Sequence, residues 1–405
     1  MLHNYAKLLI HTGVNLRKGE YLILEAPTDA AELVRECTKV AFERGAKDVI
    51  VFYTDALNDK IRLQYAEKEE IEEVKDWQAE SRNYYLQKGA CSLLIKCSYP
   101  YLFEDVPGDK SSAYQSFTNT LRNNIRASIR KDGTKWCIAS YPNPIWAKTL
   151  YPDCDTQEAV DKMFNLMCEI CQIQKDKEPS VSWMEHIQGL QKRETILDGY
   201  HIDRLVFTNG IGTNLEVGLF EGAHFSRSQK LFDEDSYCAN IPSYEICTSP
   251  DKFIINGTVV ASKPLELGGA IVEGFGFTFK DGKVIDLYAN KNETVLRNLV
   301  NTDEGSCYLG EVALVPYNSP ISLSDKLFFN TLYDENASCH LALGNAFPST
   351  VTGCNPLDYD SWDTHHLNHS SVHIDFMFGT SDMTVKGYDK ENNEYLIFEN
   401  GNWAF

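Results

Sequence analysis

Apolar and polar positions along the first part of the chain alternate between two periods. Residues 2 to 11 set Leu2, Tyr5, Ala6 and Leu9 on one helical face, with Gly13 placed to end the helix. The largely apolar run YLILEA, Tyr21 to Ala26, predicts a buried strand; Thr28 or Asp29 is the expected N-cap of a helix that runs to Phe42 and stops at Gly45, and DVIVFYTD from Asp48 to Asp55 predicts the next strand. A strand, helix, strand order favours parallel pairing with a right-handed crossover. The alternation then repeats, with a charged helix from about Tyr65 to Ser81, a strand from Cys91 to Cys97, a helix near Tyr114 to Ile129 and a strand at KWCIASYP. Helices near Ile145 and from Gln157 to Ile173 complete it.

Between Pro179 and Trp183 the pattern changes. RLVFT, NLEVGLF, FIINGTVVA, GFGFTF and KVIDLYA are short β-rich runs separated by turn residues, and Asp281-Gly282 is a strong hairpin signal. Helical stretches are expected at Glu293 to Val300 and Ala337 to Ala346, and final strands at VHIDFMFG and EYLIFEN. The fold class read from this is an α/β N-terminal domain with a mostly parallel open sheet, residues 1–182, followed by an α+β domain, residues 183–405.

Length agrees with two domains, since 405 residues exceed what a single hydrophobic core serves. A formal net charge of −20 argues against nucleic acid, which needs clustered Lys and Arg. MLHNYAKLLIHTG has no basic leading region and no small-residue cleavage site, and no apolar run is long enough for a membrane span, so a cytoplasmic protein with no membrane partner is expected. Twelve scattered cysteines read as reduced core thiols, and the Cys168 to Cys171 pair sits in a helical apolar pattern without a second ligand pair. No GxGxxG follows a strand and no GxxxxGK[ST] occurs; the glycines of GGAIVEGFGF read as bulges or close backbone approaches.

Candidate chemistry concentrates in the last third. His373 and Asp375 are two apart in a predicted strand, so both side chains point to one face. A histidine hydrogen-bonded to an aspartate gives the same pattern without a metal. Glu335 and His340 are five apart at the start of a predicted helix, where an entering turn and a first helical turn would converge. Glu311 leads into the apolar run VALVP, and a charge there needs a partner or a metal. Glu245 is isolated in sequence, with capping or surface exposure as its default reading. His365, His366 and His369 suit either a second metal site or a solvated loop.

Several long blocks in fixed order, IPSYEICTSPD, VNTDEGSCYLGEVALV, NTLYDENASCHLALG, LNHSSVHIDFMFG and the final FENGNWA, resemble the metalloaminopeptidases of the thermophilic aminopeptidase T family (M29). The resemblance runs from Tyr5 to Ala404. It implies two divalent ions held by Glu245, Glu311, Glu335, His340, His373 and Asp375, with Glu311 bridging and Glu245 a candidate general base. Zinc or cobalt would be the usual occupants, with manganese or magnesium tolerated by carboxylate-rich ligation. It also implies peptide substrates with a free N-terminus, and a homodimer whose catalytic domain is the C-terminal one.

One position departs from the family pattern. Seven residues after the histidine of DENAxxH, where the family has a tyrosine able to donate to a developing oxyanion, this chain has Phe347. The leading expectation is a slower but genuine aminopeptidase, in which the metals alone stabilise the intermediate or Tyr333 or Tyr359 replaces the hydroxyl. The alternative is a catalytically weak or inactive peptide- or metal-binding homologue. A dimetal phosphatase is disfavoured, because no Arg or Lys lies near the ligand segments to clamp phosphate.

Overall fold

Four parallel strands carry the first part of the chain, in the order Asp48–Thr54, Tyr21–Pro27, Cys91–Lys96, Trp136–Ser140. The computed structural model describes residues 1–130, 133–232, 235–267 and 270–405. Leu22, Ile23 and Leu24 are fully buried on the second strand, and the helix Ala31–Glu43 buries Leu33, Val34, Cys37, Val40 and Ala41. This is the parallel α/β layer expected from the alternating pattern. Neither Thr28 nor Asp29 caps that helix: Thr28–Ala30 is a 3-10 turn without a side-chain capping bond, and Asp29 instead accepts from the Tyr99 hydroxyl at 2.7 Å.

The charged helix expected at Tyr65 to Ser81 is three short helices, Ala56–Tyr65, Lys68–Glu72 and Asp76–Leu86. Asp55 caps the first by accepting from the backbone of Leu57 and Asn58. Ala66 and Glu73 are extended, and the middle helix buries only Ile71. Repulsion among Glu67, Glu69, Glu70, Glu72 and Glu73, with no apolar stripe to oppose it, gives the chain little reason to stay helical there.

By internal contacts the chain divides into two units, one of residues 1–187 with 228–242 and one of 188–227 with 243–405. The hairpin of Gln229–Phe232 and Asp235–Cys238 thus belongs to the first unit, where the following Asn240 bridges in parallel to Ile138.

The second unit is built mainly of antiparallel sheet. One large sheet includes the hairpin Ala270–Lys280 and Lys283–Lys291, turned by Asp281 at φ 49° and Gly282 at φ 83°, as the Asp-Gly signal predicts. A Cβ on Gly282 would lie 1.7 Å from the carbonyl oxygen of Lys252, so only glycine fits. The helix Glu293–Val300 forms where expected.

A separate four-stranded sheet has the order His373–Met377, His340–Gly344, Leu309–Leu314, Ile246–Thr248, antiparallel throughout. Here the structure corrects the helix expected at Ala337 to Ala346. Glu335–Ala337 is a 3-10 turn, and His340–Gly344 is an interior strand with every residue buried. Burial on both faces removes the polar alternation that marks a strand, and a short apolar run then reads equally well as helix.

Candidate metal centre

The small sheet determines which side chains meet. His340 pairs across to Ala313 on one side and Met377 on the other; Ala342 pairs to Glu311 and Asp375; Gly344 pairs to His373. Directly paired residues of neighbouring strands share a face, and side chains alternate along each strand, so Glu311, His340, His373 and Asp375 project together. A bulge between Leu309 and Glu311 resets the register there. The residues between them on this face, Ala313, Ala342 and Gly344, are small. Gly344 has φ 104°, and a Cβ on it would come 2.1 Å from the carbonyl oxygen of Val372.

His340 Nε2 lies 3.4 Å from Glu245 Oε2 and 3.9 Å from Glu311 Oε1. His373 Nε2 lies 3.1 Å from Glu311 Oε2 and 3.3 Å from Asp375 Oδ1. The two oxygens of Glu311 therefore face different imidazoles. Glu245, Glu311 and His340 form one group whose ligand atoms lie within 4.8 Å of one another, and Glu311, His373 and Asp375 form a second.

Glu245 enters from just before the first strand, and the buried Asn336 side chain steadies its approach: Asn336 Oδ1 accepts from the Tyr244 N–H at 2.6 Å while Nδ2 donates to the Leu332 carbonyl at 3.0 Å. The same turn carries Glu335, which is 9% exposed. Glu335 is outside both groups, yet its carboxyl is pushed well above the ordinary range, by burial first and then by the charges of Glu245 and Asp375.

The electrostatics fit a cation. Burial alone would lower the imidazole of His340, but its hydrogen bond to Glu245 and the charge of Glu311 raise it to about 10. His373 is likewise raised well above the usual value against the effect of burial, through Asp375 and Glu311, and burial of Asp375 is outweighed by the charge of His373, which lowers its carboxyl. Among the described residues no Lys or Arg is ion-paired to Glu245, Glu311, Glu335 or Asp375. His373 Nδ1 sits 2.7 Å from the carbonyl oxygen of Asn345, which only accepts, so Nδ1 carries a proton. In the neutral ring the Nε2 lone pair then points at two carboxylate oxygens, an arrangement favourable only with a proton or metal ion between them. Oxygen donors with two imidazoles suit a hard or borderline dication.

The other candidates separate from this centre. His365 Nδ1 meets the carbonyl oxygen of Ser361 at 2.6 Å, His366 Nδ1 meets Asp251 at 2.7 Å, and His369 Nε2 lies 3.7 Å from Asp363, so the three histidines have separate partners and make no metal group among the described residues. Phe347 lies beside the centre, its ring tilted against that of His373 with 5.0 Å between centroids. Tyr333 is buried against Phe328, and Tyr359 is exposed beside Trp362 and His369. Sequence reasoning missed Asn345, which acts through a backbone carbonyl, and Ala342, although small residues alternating with leucine in HLALG are a signal of a cleared face.

A family model described as Thermophilic metalloprotease (M29) matches residues 1–403. Aminopeptidase 2 of Geobacillus stearothermophilus is 37% identical over 410 residues, covering 100% of this chain and 98% of that protein. Aminopeptidase AmpS of Bacillus subtilis (strain 168) is 35% identical over 405 residues with the same coverage. Among solved structures, wild-type AmpT from Thermus thermophilus superposes with a TM-score of 0.93 at 31% identity, covering 100% of this chain and 99% of that one.

Two outcomes are expected of the centre. Ala342→Leu places a branched side chain between Glu311 and Asp375 and should abolish binding of Co²⁺ or Mn²⁺ in calorimetry, at a stability cost of about 1–3 kcal/mol. In the metal-free protein His340 has a folded pKa of about 10 against 6.5 for the ordinary imidazole, so its stabilising proton is fully present below pH 6.5 and is lost as pH rises through 10. The metal-free protein should therefore be less stable at pH 9 than at pH 6, and cation binding at pH 7 should release protons, seen as a dependence of binding enthalpy on the buffer's ionisation enthalpy.

Proposed function

The chain belongs to the thermophilic metalloprotease family M29, and we propose that it is a metal-dependent aminopeptidase that removes N-terminal residues from peptides at a dinuclear centre. The observation that carries this reading is Glu311, whose two carboxylate oxygens face the two imidazoles of adjoining groups. We assign Glu311 as the bridging carboxylate, Glu245 and His340 to one cation, and His373 and Asp375 to the other. Glu335 completes the set. Two dications would neutralise the four carboxylates, and zinc or cobalt, with manganese or magnesium tolerated, matches this donor chemistry. When bound, the pair supplies Lewis acidity, lowering the pKa of water and polarising the scissile carbonyl.

The chain's own groups supply the rest. Glu245, which like Glu335 lies outside the strands that carry the remaining ligands, is also assigned as the general base, a metal-held carboxylate that would take the proton from the attacking water and pass it to the departing amine. With the carboxylates neutralised, the substrate's free α-amine would also be held at either cation. An internal peptide bond has no such group, which restricts action to the first residue. Phe347 packs beside His373 but cannot donate to the oxyanion, a loss of about 10²–10³ in turnover where a single donor is removed. Catalysis is assigned to the C-terminal α+β domain, residues 183–405, preceded by the α/β domain of residues 1–182. The proposed working form is a cytoplasmic homodimer; no described helix is long and apolar enough to cross a membrane.

Protein loaded with zinc or cobalt should contain two metal ions per chain by elemental analysis and hydrolyse leucyl amides only when the α-amine is free. Chelation should abolish turnover. Equal rates on N-acetylated substrate, or full activity after chelation, would reject the reading. Phe347→Tyr separates slow chemistry from a rearranged site: a gain of about tenfold or more in kcat identifies the missing hydroxyl as limiting, and an unchanged kcat shows that the centre works without it.

A further inference from the structure

A cavity of about 40 Å³ opens beside the proposed centre and shares Asp375 with it. Leu265 and Ile271 on neighbouring strands, Met377, Leu327 and Phe329 form its apolar part, and Glu266, Asn330, Thr331 and Asp334 a polar part of similar extent. Met377 is two residues beyond Asp375 on the same strand, so its side chain lies on the face that carries the centre. The space corresponds to roughly three water molecules, about the size of a four-carbon aliphatic side chain.

Phe329 is held in this wall at a conformational cost. Its φ of 53° lies in the left-handed region, which a residue with a bulky side chain rarely adopts. The loop is fixed by the buried Asp334 carboxylate, whose Oδ1 accepts from the Phe328 N–H at 2.7 Å and Oδ2 from the Asn330 N–H at 3.0 Å. These two bonds bracket Phe329, which lines the cavity.

We propose that this cavity is the subsite for the side chain of the substrate's first residue, and that Phe329 sets its upper size limit. The inference rests on the aminopeptidase reading: with the α-amine and the scissile carbonyl both at the centre, the side chain on the carbon between them must enter adjoining space. Asp375 belongs to both that centre and the cavity wall. The volume then sets the substrate class as peptides beginning with a medium-sized side chain such as leucine or methionine, and an N-terminal tryptophan exceeds the space that Phe329 bounds.

The test measures kcat/KM on leucyl, methionyl, alanyl and tryptophanyl p-nitroanilides, and calorimetric binding of free leucine, alanine and tryptophan, for the metal-loaded wild-type chain and two opposed variants. Phe329→Gly removes the wall and suits the positive φ, so it opens the cavity without a backbone penalty. Ile271→Phe fills the cavity from the other side. The wild type should favour leucine over tryptophan by at least about tenfold, the range one misfitting group gives in an apolar pocket. Phe329→Gly should bring tryptophan to within about threefold of leucine, and Ile271→Phe should lose about tenfold or more on leucine while keeping alanine. Unchanged ratios in both variants overturn the subsite, even with an active wild type. Absence of turnover together with shifted binding ratios would reject the peptidase reading and leave the subsite standing.

Discussion

The register of three antiparallel strands is the constraint on which the centre depends. Glu311, Ala342 and Asp375 form one cross-strand row, and His340 and His373 lie in the rows beside it. Because side chains alternate with a period of two, a one-residue slip of the His340–Gly344 strand would send His340 to the opposite face and bring Leu341 and Leu343 among the carboxylates. The bulge after Leu309 and the left-handed backbone of Gly344 help fix that register. Buried like charges concentrated this way destabilise the empty sheet, and a cation at the centre relieves the repulsion.

Around this core, neutral groups do the aiming. The Asn345 carbonyl settles the tautomer of His373, and Asn336 ties the Glu335 turn to the backbone beside Glu245. Asp303 accepts from Ser370 Oγ at 2.7 Å and from the Ser371 backbone and hydroxyl at 2.7 and 2.6 Å, which fixes the turn that delivers the His373 strand. Its carboxyl is lowered by these bonds in spite of partial burial, so the anchor keeps its charge across the neutral range.

Much of this was legible in the residues. Alternation of strand and helix predicts the parallel sheet, Asp281-Gly282 predicts a hairpin of the large antiparallel sheet, and the spacing of His373 and Asp375 predicts a shared face. Other parts were hidden for physical reasons. HLALG is buried on both sides, so its period does not distinguish strand from helix, and Glu335 and His340, expected on an entering turn and a first helical turn, lie on a 3-10 turn and a strand. Glu245 carries no local pattern, and only resemblance pointed to it. Asn345 contributes a main-chain oxygen, which residue type does not reveal. The hairpin at 229–238 belongs with the first unit although it follows strands of the second, a return of the chain that local periodicity does not encode.

The groups that meet at Glu311 come from widely separated stretches, from Glu245 to Asp375, and no short segment holds a complete set. A nascent chain therefore carries no complete cage until the His373–Met377 strand has left the ribosome and paired with His340–Gly344. Polypeptides that stop short of that strand emerge with the earlier carboxylates and His340 but without the second imidazole group.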